Sequence, residues 1–337
     1  MESTFHIQWH ITNRCNLRCG HCYQDDFLTN IELSYEGLMR VAHNIFKFLY
    51  ERGLKGTIHL TGGEPILKQE LFFLLEYLDR SSLIEELGII TNGLLLDREI
   101  LEKFSIYSKL KKIKLSLDGA SEETNDSIRG IRTYKTVLQK IGSIKKVSRF
   151  QIILMFTVMK RNFRELCAFY ELSQGLGVNG FIVERFVPWG RGRDKISEAL
   201  RSEEWSEIKR TLSDIFLIEE EALLPYQAFQ VNFDKEGSEL LGAHCVIGKD
   251  GLCIMPDGQV FPCRRFPISI GNLVHTPLEV IWESSELLNT LRKKENLKGR
   301  CGSCGIKDCR GCRALSFALR SDPLAEDPCC KIPEKEL

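Results

Sequence analysis

Three thiols crowd one short stretch of chain, where Cys15, Cys19 and Cys22 stand in the pattern Cys-x3-Cys-x2-Cys, written CNLRCGHC. Such a loop offers three corners of a cubane iron–sulfur cluster and leaves one iron without a protein ligand, open to a further molecule. A zinc knuckle completed by His21 is the alternative, because structural zinc takes four closed ligands. A second set lies far along the chain as Cys245-x7-Cys253-x9-Cys263, then Cys301-x2-Cys304-x4-Cys309-x2-Cys312, then Cys329-Cys330. Eight of these thiolates would hold two further four-iron clusters ligated wholly by protein, with one to spare. Zinc ribbons built from the Cys-x2-Cys pairs are again the alternative. Of 13 cysteines only Cys167 stands apart, and its helical neighbours Leu166, Phe169 and Tyr170 mark it as core packing.

Thiols so placed need a scaffold that brings their loops to one side. Up to about residue 190, β-branched runs (5–11, 57–60, 86–91, 112–117, 150–158, 180–184) alternate with longer helical patterns such as 37–52 and 133–146. Six strand–helix units predict an α/β fold, a partial (β/α)6 barrel of the TIM type with its functional loops at the C-terminal ends of the strands. The notable residues fall there: the first Cys loop after the first strand, Gly62-Gly63-Glu64-Pro65 after the second, Thr91-Asn92-Gly93 after the third, Ser116-Leu117-Asp118-Gly119 at the fourth. Residues 196–240 read as a helical connector without strands, separating a barrel over 1–195 from a small Cys-rich domain over 241–337. In the latter, Ile254 to Phe261 forms two short strands around a Pro-Asp-Gly turn, a β-hairpin that draws Cys253 and Cys263 together.

Composition narrows the partners. The 337 residues carry 46 basic and 46 acidic side chains and a formal net charge of zero, which excludes a surface built for nucleic acid or an anionic membrane. No apolar run approaches a membrane span and no export signal opens the chain, so a cytoplasmic location is expected, with thiols used for metal rather than disulfides.

The CNLRCGHC loop followed by Tyr23, and the GGEP motif after the second strand, resemble the radical S-adenosylmethionine superfamily. The resemblance implies that the open iron chelates S-adenosylmethionine, whose reductive cleavage yields a 5′-deoxyadenosyl radical that abstracts a substrate hydrogen. It places Tyr23 near the adenine, Gly62, Gly63, Glu64 and Pro65 at the cofactor's amino group, and Asn92, Ser116 and Arg129 at ribose or carboxylate; for Arg129 a salt bridge to Asp118 or Asp126 is the other reading. The C-terminal pieces CIMPDGQVFPC, Ile270-Gly271-Asn272-Leu273 and CRGCRA resemble the SPASM auxiliary domain. That likeness implies an inner cluster on Cys245, Cys253, Cys263 and Cys312 and an outer one on Cys301, Cys304, Cys309 and Cys330, three 4Fe-4S clusters in all. Two spacings around Cys309 are one residue shorter than in many members, and Cys329 competes with Cys330 as last ligand.

Such an enzyme draws electrons from a donor such as flavodoxin or ferredoxin. Arg264 stands where sulfatase-maturing members place an Asp base, which disfavours formylglycine formation. Arg185, Arg191, Arg193, Arg264 and Arg265 would suit a carboxylate-bearing substrate. The first expectation is a peptide maturase, with any leader-binding protein separate since the first strand begins near Met1. The second is a radical enzyme acting on tetrapyrrole side chains, because CRGCRALSFALRSDPLAEDPCC resembles haem and haem d1 biosynthesis enzymes; a non-catalytic electron-transfer or scaffold protein is the third.

Overall fold

The computed structural model describes residues 4–331 apart from Ser148 and Lys235. Six parallel strands, β1 (Thr4–His10), β2 (Lys55–Thr61), β3 (Ile84–Thr91), β4 (Leu110–Ser116), β5 (Gln151–Val158) and β6 (Gly180–Arg185), pair in chain order. Between them run α1 (Tyr35–Glu51), α2 (Leu71–Arg80), α3 (Arg98–Ser105), α4 (Glu122–Arg129) with α5 (Thr133–Val147), and α6 (Leu166–Leu176). This is the expected partial barrel. Each helix buries one stripe: in α1 it is Leu38, Val41, Ala42, Ile45, Phe48 and Leu49, at the three- and four-residue steps of one helical face, behind an N-cap where Ser34 accepts from the Gly37 N–H.

The connector is not free of strands. After α7 (Ser202–Phe216), β7 (Ala228–Phe233) and β8 (Ser238–Ala243) form an antiparallel hairpin on the β6 edge. Phe229 and Val231 alternate inward on β7 and are fully buried, so a period of two was present in a segment whose charged neighbours mask it. At the other edge β9 (Gly251–Ile254) lies parallel to β1, with Cys253 opposite Gln8, and carries β10 (Gln259–Phe261) and β11 (Gly271–Asn272). The auxiliary hairpin forms about its Pro-Asp-Gly turn as expected, Gly258 taking a φ of +83° that suits glycine.

One eleven-stranded sheet therefore runs through both halves. They also share a core: Trp282, on α8 (Leu278–Ser284), meets Phe5 and Phe48 edge to face, 5.0 and 6.2 Å between ring centres. Cys167 departs from expectation, because it is exposed. It lies one step, about 100° of helical turn, beyond the buried Leu166, and the face of α6 that packs inward carries Leu166, Phe169 and Ser173 instead.

Candidate functional site

The first Cys loop leaves β1 and is held by its neighbours rather than by regular structure of its own. The β2 loop grips its start, Gly63 N–H donating to Thr12 O and Glu64 N–H to Arg14 O, each at 2.8 Å. The β3 loop grips it at Asn16, whose Oδ1 accepts from Asn92 Nδ2 at 2.7 Å. Helix α4 takes the Gly20 N–H on Ile128 O at 2.9 Å, and the loop after β6 donates Gly192 N–H to Cys22 O, also at 2.9 Å.

The glycines of the β2 loop serve this grip. A Cβ on Gly62 would stand 2.4 Å from Thr12 O, and one on Gly63 2.4 Å from Arg14 O. The space their missing side chains leave is filled by the backbone leading into Cys15. Glu64 is wholly buried, accepting from Thr91 Oγ1 at 2.7 Å and Asn92 N–H at 2.9 Å. Burial lifts its carboxyl to about 7 against the pull of those donors. It ties the second loop to the third.

Cys15, Cys19, Cys22, Tyr23, Gly62, Gly63, Asn92, Ser116 and Arg129 all line one cavity of about 940 Å³, counting the part open to solvent. Glu64 and Pro65 stand behind that wall. Asp118 is also central: its Oδ2 lies 2.6 Å from Arg129 Nε and 3.1 Å from His21 Nε2, while Oδ1 accepts the Thr157 N–H at 2.8 Å. Arg129 thus has a protein partner on the cavity wall, and His21 turns its Nε2 toward Asp118. Burial raises the thiols of Cys15, Cys19 and Cys22, the last to about 11, so a positive centre must release their protons. Among the described residues no three His, Cys, Asp or Glu side chains close around a single metal ion; zinc thiolates would stand about 3.8 Å apart. Three half-buried thiols facing one cavity with an open side fit a cluster with a free corner and a small molecule beside it.

Of the five arginines expected at the pocket, only Arg264 and Arg265 line it. They share Glu184: Arg264 Nη2 pairs with its Oε2, and Arg265 Nη1 stands 3.7 Å away. Arg264 also sits over Tyr23, 5.7 Å from the ring centre. Arg185 points away because neighbours on a strand face opposite sides; it pairs with buried Asp327 through two nitrogens at 3.0 Å. Arg193 stacks on Trp189 at 4.5 Å, and Arg191 reaches the Arg18 carbonyl at 3.5 Å. Glu184 was not foreseen, although its alternation with buried Val183 on β6 marks it as facing the barrel interior.

The later cysteines form two groups. Cys245 feels the charges of Cys312 and Cys263, and Cys253 that of Cys263; burial pushes Cys245 to about 11 and Cys253 well above its ordinary value. Cys301, Cys304, Cys309, Cys329 and Cys330 line a separate pocket. Asp327 organises the chain end there, accepting N–H bonds from Cys312 at 2.6 Å and Cys329 at 2.9 Å. The Cys329 thiol turns inward to Leu200 O at 3.3 Å.

Comparison with known proteins agrees with this arrangement. Residues 9–172 match the model of the Radical SAM superfamily, and residues 245–305 that of SPASM, an iron–sulfur cluster-binding domain. The chain is 31% identical to the AdoMet-dependent heme synthase of Methanosarcina barkeri, over 96% of this chain and 95% of that one. It is 28% identical to the antilisterial bacteriocin subtilosin biosynthesis protein AlbA of Bacillus subtilis, over 90% of this chain and 67% of that one. In fold it is similar to SuiB of Streptococcus suis crystallised with its precursor peptide SuiA, with a TM-score of 0.74 at 16% identity, covering 98% of this chain and 77% of that one. Among the described residues no helix is long and apolar enough to cross a membrane. With both signatures in place and a relative matched nearly end to end, the chain belongs to the radical SAM superfamily of enzymes, in the branch that carries a SPASM iron–sulfur domain.

Proposed function

We propose that the protein is an S-adenosylmethionine-dependent radical enzyme acting on a carboxylate-bearing tetrapyrrole, at a propionate side chain. The observation that carries the substrate class is the pair Arg264 and Arg265, which face the cavity with Glu184 as their shared carboxylate and so leave positive charge for a substrate acid. The near full-length similarity to a heme synthase supports the same reading.

In this reading Cys15, Cys19 and Cys22 hold the cluster that binds S-adenosylmethionine, and together these groups supply a reducing electron and a hydrogen-abstracting radical. Tyr23 packs beside the adenine, the Gly62–Gly63 backbone, Asn92 and Ser116 face the cofactor, and Arg129, already neutralised by Asp118, keeps the Cys19 loop in place. Cys245, Cys253, Cys263 and Cys312 hold an inner auxiliary cluster and Cys301, Cys304, Cys309 and Cys330 an outer one, Cys329 being turned toward Leu200. A flavodoxin or ferredoxin supplies electrons.

The test is anaerobic incubation of reconstituted enzyme with S-adenosylmethionine, dithionite and an iron porphyrin bearing propionates. Loss of carbon dioxide from the porphyrin by mass spectrometry, matched by 5′-deoxyadenosine, is the expected result; a Soret band that ignores the protein would overturn the substrate class. A peptide maturase is the second reading. A groove lined by Gln24, Asp25, Trp189, Met255 and Asp257 leads from the cavity along the auxiliary hairpin and shares Tyr23 and Arg264 with it, a course suited to an extended chain, and similarity to AlbA favours it.

A further inference from the structure

Below the site, toward the N-terminal ends of the strands, the barrel holds a second cavity lined by Gln8, His59, Lys114, Glu184 and Arg264, with Cys253 and Cys263 closing one side. Barrel interiors of this type are ordinarily filled with branched apolar side chains, so charge here calls for a reason. Four cations, Lys112, Lys114, Arg264 and Arg265, share this interior with two carboxylates, Glu86 and Glu184. Glu86 takes Lys112 at 2.9 Å, and Glu184 is shared by Arg264 and Arg265. Lys114 has neither an ion pair nor a hydrogen bond among the described residues, and burial, then Lys112, lowers its ammonium to about 8. Gln8 Nε2 and His59 Nε2 are likewise buried without a hydrogen-bond partner. His59 is 3.8 Å from Glu86, and Gly88 leaves room for its ring, since a Cβ there would stand 2.4 Å from His59 Cδ2. Buried donors left unmade are costly unless a ligand takes them.

We propose that this lower cavity is a carboxylate subsite in which Lys114, Gln8 and His59 hold an acidic arm of the substrate other than the reacting one, which lies above at Arg264 and Arg265. The proposal rests on the carboxylate-substrate reading and extends it to a substrate with at least two acids.

Two readouts decide it. Acylation of Lys114 by acetic anhydride in the folded full-length chain is followed by mass spectrometry at about pH 8, with Lys47, whose side chain is 57% exposed, as internal control. Propionate at about 100 mM should slow Lys114 by at least about threefold relative to chloride, and Gln8→Leu should remove that protection. Equal rates in the two salts overturn the subsite. In a Soret titration with coproporphyrin III, Lys114→Met should weaken the tetra-acid by about tenfold or more, Lys114→Arg should restore most of it, and the tetramethyl ester should be insensitive to both. Unchanged affinity of Lys114→Met for the acid also overturns the proposal. A wild-type chain that binds neither porphyrin while propionate still protects Lys114 removes the tetrapyrrole and leaves the subsite.

Discussion

Arg129 Nε lies 2.6 Å from Asp118 Oδ2, and this contact joins the end of β4 to the loop bearing Cys19, whose Sγ lies 3.7 Å from the Arg129 carbonyl. Burial alone would raise the Asp118 carboxyl; Arg129 and then His21 hold it at about 2. A carboxyl depressed in the folded state adds stability above its ordinary range near 3.8 and loses it as pH falls toward 2. Asp118→Asn should therefore flatten the acid limb of stability and, by stranding a buried guanidinium, cost about 3 kcal/mol at neutral pH. Urea denaturation of both chains across pH checks this, and a loss below about 1 kcal/mol would show the pair to be dispensable.

Glu64 has the opposite sign in a separate window. Burial raises its carboxyl from 4.5 to about 7, so its contribution is complete below 4.5 and declines as pH rises through 7. Glu64→Gln, neutral throughout and still able to accept the Asn92 N–H, should remove a decline on the order of 3 kcal/mol between pH 4.5 and 7. Denaturation midpoints at the two ends of that range give the comparison; parallel pH profiles for wild type and variant would sink it.

Much of this site is legible in the sequence because thiols at fixed spacing have few uses and because strand-end loops of a parallel sheet converge. What escaped follows from side-chain direction. Arg185 and Glu184 are adjacent in sequence, yet one faces Asp327 outside the barrel and the other the cavity. Cys167 sits one helical step from the buried stripe that its neighbours define. The β7–β8 hairpin follows a charged helix and fully buries only Phe229 and Val231, so its alternation carries little apolar contrast until the β6 edge covers it. Arg129 with Asp118 is one of the two salt bridges the sequence offers, but His21 with Asp118 and Thr91 with Glu64 join residues distant in sequence, and no local pattern reports them.

Gly63→Ala is expected to disturb the first Cys loop selectively. The added Cβ would meet backbone at Arg14 O, 2.4 Å away, with Asn13 O at 2.7 Å, and backbone cannot swing aside as a flexible side chain does. The strain falls immediately before Cys15. Iron retained after reconstitution should drop by about a third, the share of one four-iron cluster in three, while Gly142→Ala, with nothing within 4 Å of its Cβ, should leave iron unchanged. Equal iron in both variants would detach the glycine from the loop.

The two Cys groups should separate by product. With Cys15, Cys19 and Cys22 all replaced by Ala, about four of some twelve irons should be lost and 5′-deoxyadenosine formation should stop. Cys263→Ala acts elsewhere: its thiol lies near those of Cys245 and Cys253, and in the proposed assignment these three with Cys312 leave no open corner for S-adenosylmethionine. Cleavage of S-adenosylmethionine should therefore persist in that variant, uncoupled from substrate, while modified substrate falls below detection. Circular dichroism first establishes that Cys263→Ala is folded, because Phe261, two residues before it, pairs with Cys253 across the β9–β10 ladder. Both products are then measured under dithionite in the same tube. Normal substrate turnover would show that the inner thiols are not needed for the reaction, and loss of 5′-deoxyadenosine with the first cluster intact would show that the division between the two halves is drawn in the wrong place.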